Sequence, residues 1–190
     1  DWREIPLCHL RTLNYVDVTD EWWETSDVTI DLFVDIPLKE IAYAYVFNWG
    51  RWRPAWWGEV KGSSVTFSNM PKGIVILPVY YEKGRMKQAG HPLVNGYNHQ
   101  LQLIPDTIHK RTVEIKQQDG YLIFRPNKKY ELFYWDQRWK SLGVQVADEG
   151  ETSLFFENVP DNVLFRLIPE YSVGKERPFI IMQDGERYWW

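Results

Sequence analysis

The sequence contains an internal repeat, and this feature limits the possible folds more than any other. A Phe-x-Asn-x-Pro pattern begins at Phe67 and again at Phe156, 89 residues later. A short apolar run follows each copy, at residues 74–77 and at residues 163–165. A period near 89 residues is too long for a solenoid repeat and matches the size of one small antiparallel β-sandwich. The sequence therefore predicts two homologous β modules.

Flanking residues extend the match between the two copies. Three upstream pairs stand at similar offsets, namely Trp49 with Trp135, Trp52 with Trp139, and Gly58 with Gly143. Downstream, the dipeptides Asn95-Gly96 and Asp184-Gly185 are typical of β-hairpin turns. Each module is therefore expected to end in a closing hairpin.

Hydropathy alternates with the period of a β-strand along much of the chain. In residues 41–49 the large side chains occupy every second position, and residues 28–34 alternate in the same way. No segment keeps a helical period for more than about two turns. The predicted fold is all-β, with two tandem antiparallel β-sandwich modules of immunoglobulin-like or galactose-binding-like type. We place them at residues 1–106 and 107–190, because a Pro-Asp turn at residues 105–106 precedes a fresh alternating run.

Composition excludes several classes of protein. The 22 basic and 26 acidic residues give a net charge of −4, which offers no electrostatic basis for binding nucleic acid. No apolar run approaches the roughly 20 residues needed to cross a bilayer as a helix, so no transmembrane segment is expected. Aromatic residues make up 16% of the chain, including 11 tryptophans. This excess favours strands and also favours surfaces that stack on or anchor a partner.

Several runs resemble the region downstream of the catalytic domain in secreted transglutaminase-like proteins of gut Bacteroidetes. They are residues 16–21, 46–58, 70–81 and 185–190, so the resemblance spans about residues 16 to 190. It implies an extracytoplasmic β-sandwich accessory region, in the periplasm or at the cell surface, associated with glycan or glycoprotein degradation. It also implies a papain-like catalytic domain upstream as a partner. The chain begins at Asp1 without Met, which agrees with a missing leader or upstream domain.

The sequence predicts no catalytic residue and no cofactor. Cys8 is the only cysteine, and its neighbour His9 would point to the opposite face of an extended segment. No pair of carboxylates stands out for glycosidase chemistry. The four histidines lack zinc-ligand spacing, and the acidic clusters at residues 17–21 and 148–151 match no calcium-ligand spacing. We therefore expect no enzyme activity and assign no metal site.

An aromatic loop at residues 48–58 is the best candidate for a binding site. Indole rings can stack on the apolar face of a sugar while nearby arginines donate to its hydroxyls. The candidate ligand-binding residues are Trp52, Trp56, Trp57, Arg51, Arg53 and Tyr81. Packing is the competing role, and it is favoured for Trp49 and Trp52 because their counterparts Trp135 and Trp139 are also aromatic. Ser141 and Leu142 are expected at the positions of Trp56 and Trp57, which makes these two the stronger candidates.

Two non-catalytic functions remain open from the sequence, beside a hydrolase or transferase that would use Cys8 and a histidine within hydrogen-bond reach of its thiol. The first is a non-catalytic accessory region that binds a glycan or glycoprotein through exposed aromatics. The alternative is a scaffold whose aromatics pack the modules together and against an upstream transglutaminase-like domain, with no ligand of its own. Exposure separates them, because coplanar exposed rings favour binding and buried doublets favour the scaffold. In a strand, one member of each aromatic doublet must face away from the core.

Overall fold

Segments whose hydropathy alternates from residue to residue form antiparallel strands in the computed structural model. It describes residues 7–9, 12–14, 24–33, 41–117, 122–181 and 187–189, and these contain strands and no helix. The strands are β1 Leu7–His9, β2 Thr12–Asn14, β3 Thr25–Asp31, β4 Ile41–Asn48, β5 Arg51–Lys61, β6 Ser64–Pro71, β7 Ile74–Glu82, β8 Arg85–Gln88, β9 Leu93–Asn95, β10 Gln100–Gln102, β11 Asp106–Lys116, β12 Lys128–Trp135, β13 Trp139–Ala147, β14 Ser153–Asp161, β15 Phe165–Pro169, β16 Phe179–Ile181 and β17 Arg187–Trp189. The prediction of an all-β chain is confirmed, and the sheets are consistent with a β-sandwich.

The chain divides into two compact units. The first comprises Asp1–Ile104 and Arg187–Trp190, and the second comprises Pro105–Glu186. The division thus falls two residues before the boundary expected from the Pro-Asp turn. The last four residues group with the first unit.

In the first unit, the strands of one sheet lie in the order β10-β9-β7-β4-β5-β6-β3, and β8 pairs with β7. Strand β5 pairs with β4 from Arg51 to Glu59 and then with β6 at Val60 and Lys61. Side chains from β3, β6, β4 and β7 meet in one buried cluster. Burial of this apolar surface between strands on both sides is the main contribution to the stability of the unit.

Strand β4 shows how the period of two selects the core. Ala42, Ala44 and Val46 lie in the buried cluster, so the odd-numbered residues of β4 face the other side of the sheet. Strand β7 is buried along residues 74–79, on both faces, as its continuous apolar run predicts.

The hairpin expected at Asn95-Gly96 forms, but with a different geometry. Asn95 ends β9 and pairs with Gln100, so residues 96–99 make the loop. Asn95 is completely buried, and its amide nitrogen donates to the carbonyl oxygens of Met70 (3.2 Å) and Pro71 (2.9 Å). Its amide oxygen accepts from Ser26 Oγ at 2.9 Å. Asn95 therefore joins the ends of three strands and is not a central turn residue, while the hairpin expected at Asp184-Gly185 lies outside the described residues.

In the second unit, β11 pairs with β14, and β12 lies between β13 and β15. The β11–β14 ladder repeats the geometry of the β3–β6 ladder. Val28 pairs with Phe67 and Val113 pairs with Phe156, each beside a register shift. Asn69 and Asn158 both have a left-handed backbone with φ 55°.

Candidate functional site

A row of aromatic side chains crosses three strands of the first unit. Trp57 in β5 pairs with Tyr43 in β4, and Tyr43 pairs with Val79 in β7. Tyr81 follows two residues after Val79, so its side chain returns to the same face of the sheet. The ring centroids of Tyr43 and Tyr81 are 5.5 Å apart, with their planes at 84°.

This row is open to solvent. Trp57 is 64% exposed and Tyr81 is 49% exposed, while Tyr43 between them is half-buried. Ile41 in β4 and Met86, which pairs with Tyr81 from β8, are exposed at its borders. We call Trp57, Tyr43 and Tyr81, with Ile41 and Met86 at the border, the aromatic platform. Contiguous exposed apolar side chains of this kind mark interaction surfaces.

Tyr45 fixes the position of the Tyr81 ring. Its side chain is only 4% exposed, and its hydroxyl is hydrogen-bonded to the hydroxyl of Tyr81. Burial, followed by this hydrogen bond, raises the pKa of Tyr45 above its usual value. The Tyr45 hydroxyl therefore remains neutral at physiological pH. The edge-on contact with Tyr43 supports the same ring from a second direction.

The structure brings two of the six predicted residues, Trp57 and Tyr81, together on this platform. Trp56 pairs with Ala44 and packs against the buried cluster instead. Trp52 packs edge-on against Phe47, with ring centroids 5.3 Å apart, as expected for a packing residue.

The two predicted arginines lie at the other end of β5. Arg51 is exposed and pairs with Asn48, next to the turn. Arg53 pairs with Val46, and its Nε donates to the carbonyl oxygen of Asn48 at 3.2 Å. Trp49 is exposed in the same turn, with a left-handed φ of 53°.

Both aromatic doublets divide between the two faces of the sheet. Trp56 and Tyr80 pack against the buried cluster, whereas Trp57 and Tyr81 are exposed. This confirms, for these two described doublets, that one member turns away from the core. The rings of Tyr43 and Tyr81 are crossed and not coplanar. The platform therefore offers separate ring faces and edges, not one flat surface.

The register of the second unit gives counterparts that differ from those expected from the sequence. A bulge follows the pair Ala44–Trp56, and an equivalent bulge follows the pair Leu132–Gly143. By this register Gly143 stands where Trp56 does, whereas the sequence offsets predicted Ser141 there. Beyond the bulges, the register places Val144 where Trp57 lies and Glu131 where Tyr43 lies, so these two platform positions are not aromatic in the second unit.

The same register also changes which tryptophans correspond to each other in the two units. Trp139 pairs with Trp135 just as Trp52 pairs with Phe47. Trp135 therefore corresponds to Phe47 and not to Trp49. Its ring lies edge-on to Trp139, with centroids 5.2 Å apart. A shared packing role explains this aromatic pair in both units.

Sequence reasoning missed Tyr43, Ile41, Met86 and Glu59. The alternation of β4 already grouped Ile41 with Tyr43, but it did not show which face is exposed. Glu59 is exposed, pairs with Ile41 and lies two residues from Trp57. Met86 joins the platform only through the β7–β8 hairpin, whose turn residues Lys83 and Gly84 have left-handed backbones.

The described residues offer little for metal binding. No group of three His, Cys, Asp or Glu side chains among them can hold a metal ion. In the acidic cluster at residues 148–151, the Asp148 amide donates to Glu151 Oε2 at 2.8 Å, an ordinary turn contact. The cluster at residues 17–21 lies outside the described residues. Cys8 and His9 are consecutive residues of β1.

Comparisons with protein-family models, with curated proteins and with solved structures find no match to this chain. Within the described part of the chain, no helix is long and apolar enough to span a bilayer.

Proposed function

We propose that this chain is a non-catalytic, extracytoplasmic accessory region that binds a glycan or glycoprotein through the aromatic platform. Its two units would be β-sandwich modules of immunoglobulin-like or galactose-binding-like type, related by the internal repeat. The resemblance to the region downstream of transglutaminase-like domains supports the extracytoplasmic setting and the association with an upstream catalytic domain.

The observation that carries the proposal is the exposure of Trp57 and Tyr81 beside the half-buried Tyr43. The second unit forms the corresponding β12–β13 pairs with Glu131 and Val144 at the positions of Tyr43 and Trp57. Pairing of these strands therefore does not require aromatic side chains there. Exposed rings cost hydration free energy without adding to the core, and sugar binding gives them a use because a pyranose face stacks on an indole or phenol ring.

The repeat is supported by pairs of equivalent features in the two ladders. Phe67 and Phe156 are both buried, and each pairs with a valine beside a bulge. Asn69 and Asn158 share a left-handed φ of 55°. A bulge is a specific local insertion, so its recurrence at matched positions favours duplication of one module.

The scaffold function is the second candidate, and one observation favours it. Ile41 and Met86 make the border of the platform apolar, as in surfaces that dock against protein. In that case the platform would pack against an upstream transglutaminase-like domain, and the chain would bind no glycan by itself.

A matched set of variants tests the proposal on a glycan array and by calorimetric titration against the best array ligand. Trp57→Ala removes an exposed stacking ring, so we expect affinity to fall at least about tenfold with little change in thermal stability. Trp56→Ala removes a ring packed on the core and is expected to lower the melting temperature. Val144→Ala is the control, because Val144 is the non-aromatic counterpart in the second unit.

Two results would contradict the proposal. One is that the wild-type chain binds no glycan. The other is that Trp57→Ala and Val144→Ala leave glycan affinity equally unchanged. Either result would favour the scaffold function.

A further inference from the structure

Strand β13 of the second unit has an open outer edge. It lies at the end of its sheet and, among the described residues, pairs only with β12. Residues 143–146 are all exposed, although their side chains alternate between the two faces of the strand. Gly143 has no side chain, so its exposure means that the backbone itself is open to solvent. The N–H and C=O groups along this edge can therefore pair with another strand.

The first unit protects the corresponding edge, and the second unit does not. Over Arg51–Glu59, strand β5 also pairs on one side only within the part of the chain that the structure describes. Pro54 lacks an N–H group there and Glu59 adds an exposed charge, and both features keep edge strands from pairing. By the register of the two bulges, Ser141 stands at the position of Pro54 and Val146 at that of Glu59. Both protective features are therefore missing from β13.

The exposed run of β13 is its own complement. Residues 141–147 carry no charge, so two copies can approach along this edge without like charges meeting. Val144 and Val146 are 47% and 48% exposed and stand on either side of Gln145. Antiparallel pairing about Gln145 would place Val144 opposite the partner's Val146, and two-fold symmetry repeats this contact. Two apolar cross-strand pairs then form on one face of the joined sheet.

The charges around this run do not oppose the pairing. On the face that carries the valines, β12 contributes one charge of each sign, Lys129 and Glu131. The acidic turn at residues 148–151 follows β13 directly. In an antiparallel arrangement the two acidic turns lie at opposite ends of the paired strands, so they stay apart.

We propose that this chain forms a two-fold dimer by antiparallel pairing of β13 with the same strand of a second copy. A second copy is favoured over a strand from another protein because the run matches itself in both charge and apolar pattern. Pairing over residues 143–147 is short beside the roughly 1,200 Å² of surface that stable interfaces bury, so the dimer should form reversibly. The proposal does not depend on glycan binding by the aromatic platform.

Sedimentation of the full chain over a range of concentrations tests the proposal. The wild-type chain is expected to show a reversible equilibrium between monomer and dimer. Val146→Glu gives β13 the charge that β5 carries at the same position, and it should weaken dimerisation at least about tenfold. Val173→Glu is the matched control, because it makes the same exchange at an exposed residue outside β13 and should leave dimerisation unchanged.

Cross-linking tests the register of the paired strands. Pairing about Gln145 places this residue opposite its own copy, and opposed residues of antiparallel strands lie within the Cα distance that a disulfide requires. In a Cys8→Ser background, Gln145→Cys should therefore give a disulfide-linked dimer without reductant. Val173→Cys in the same background places a thiol on an exposed loop and should remain largely monomeric.

Four results would contradict the proposal. A wild-type chain that stays monomeric at the highest concentration measured would overturn it and leave this edge to a strand from another protein. Equal dimerisation of the wild-type and Val146→Glu chains would also overturn it. Dimerisation that is lost on Trp57→Ala but kept on Val146→Glu would assign the contact to the aromatic platform instead. Failure of Gln145→Cys to cross-link a chain that still dimerises would overturn the pairing about Gln145.

Discussion

The two units use the same strand pairs but differ on the outer face of the sheet. In the first unit this face carries Trp57 and Tyr43, and in the second it carries Val144 and Glu131 at the same register. Glu131 accepts a hydrogen bond from Ser141 Oγ at 2.7 Å, so its position is used for a local polar contact. The comparison teaches that the core positions and the outer-face positions are chosen by different requirements.

A buried arginine in the second unit also distinguishes the two units. Leu77 in β7 is buried and pairs with Tyr45, whereas its counterpart Arg166 in β15 is buried and pairs with Phe133. The Arg166 guanidinium donates to the carbonyl oxygens of Gly174 (3.0 Å) and Glu176 (3.2 Å). Burial lowers the pKa of Arg166, although Glu176 opposes this shift. In the second unit Arg166 thus binds the backbone of the loop at residues 174–176, where the first unit has the apolar Leu77.

The largest expected effect tests whether the two cores are equivalent. Phe67→Ala and Phe156→Ala each remove a fully buried ring, so each is expected to cost about 3 to 5 kcal/mol of unfolding free energy. Denaturant unfolding followed by near-UV circular dichroism measures both. Phe155→Ala is the matched control, because Phe155 is the exposed neighbour of Phe156 and should change the free energy little. A cost below about 1 kcal/mol at Phe67 or Phe156 would break the equivalence.

A smaller effect tests the shared turn geometry. Asn69 and Asn158 have positive φ, which a side chain such as Ala adopts at a cost of about 1 kcal/mol. Asn69→Ala and Asn158→Ala should therefore lower the melting temperature by similar amounts in scanning calorimetry. Asn69→Gly and Asn158→Gly should restore most of the loss, since glycine has no Cβ. Equal stability of the Ala and Gly variants would show that the left-handed backbone is not required.

The smallest effect sharpens the contrast between the outer faces. Trp57→Val and Val144→Trp exchange the residues at matched exposed positions, and each should change the unfolding free energy by no more than about 0.5 kcal/mol. Thermal unfolding of the two variants measures this. A loss above about 2 kcal/mol for Trp57→Val would mean that the indole is needed for packing, and the argument from the second unit would fail.

Sequence patterns predicted the strands well where burial is one-sided and poorly where contacts come from elsewhere in the chain. The alternation at residues 41–49 predicted β4, which ends at Asn48, and the apolar run at residues 74–77 predicted a strand buried on both faces. The sequence match between Gly58 and Gly143 was misleading, because the two positions require glycine for different structural reasons. A Cβ on Gly58 would lie 2.6 Å from the carbonyl oxygen of Thr66, whereas Gly143 has a positive φ of 116° and open space around it.

The candidate site was predictable only in part, because the exposure of its rings also depends on pairing with other strands. The doublets of Trp56-Trp57 and Tyr80-Tyr81 required one exposed ring each, because successive side chains of a strand alternate between faces. Which tryptophan is exposed depends on the register of β5 against β4, and a one-residue shift in that register exchanges the faces. The arginines adjoin these tryptophans in sequence but lie at the other end of β5.

By itself the sequence determined an all-β chain, the positions of strands such as β3, β4 and β7, and the repeated Phe-x-Asn-x-Pro motif, because these depend on local alternation and turn chemistry. Only the tertiary structure decided that Trp57, Tyr43 and Tyr81 share one exposed face, that Trp56 belongs to the core, and that Glu59 stands beside the platform. Those placements depend on pairing between strands distant in sequence and on the bulges that set their register. Pairing of this kind is fixed by the packing of the whole sheet and not by the residues of any one strand.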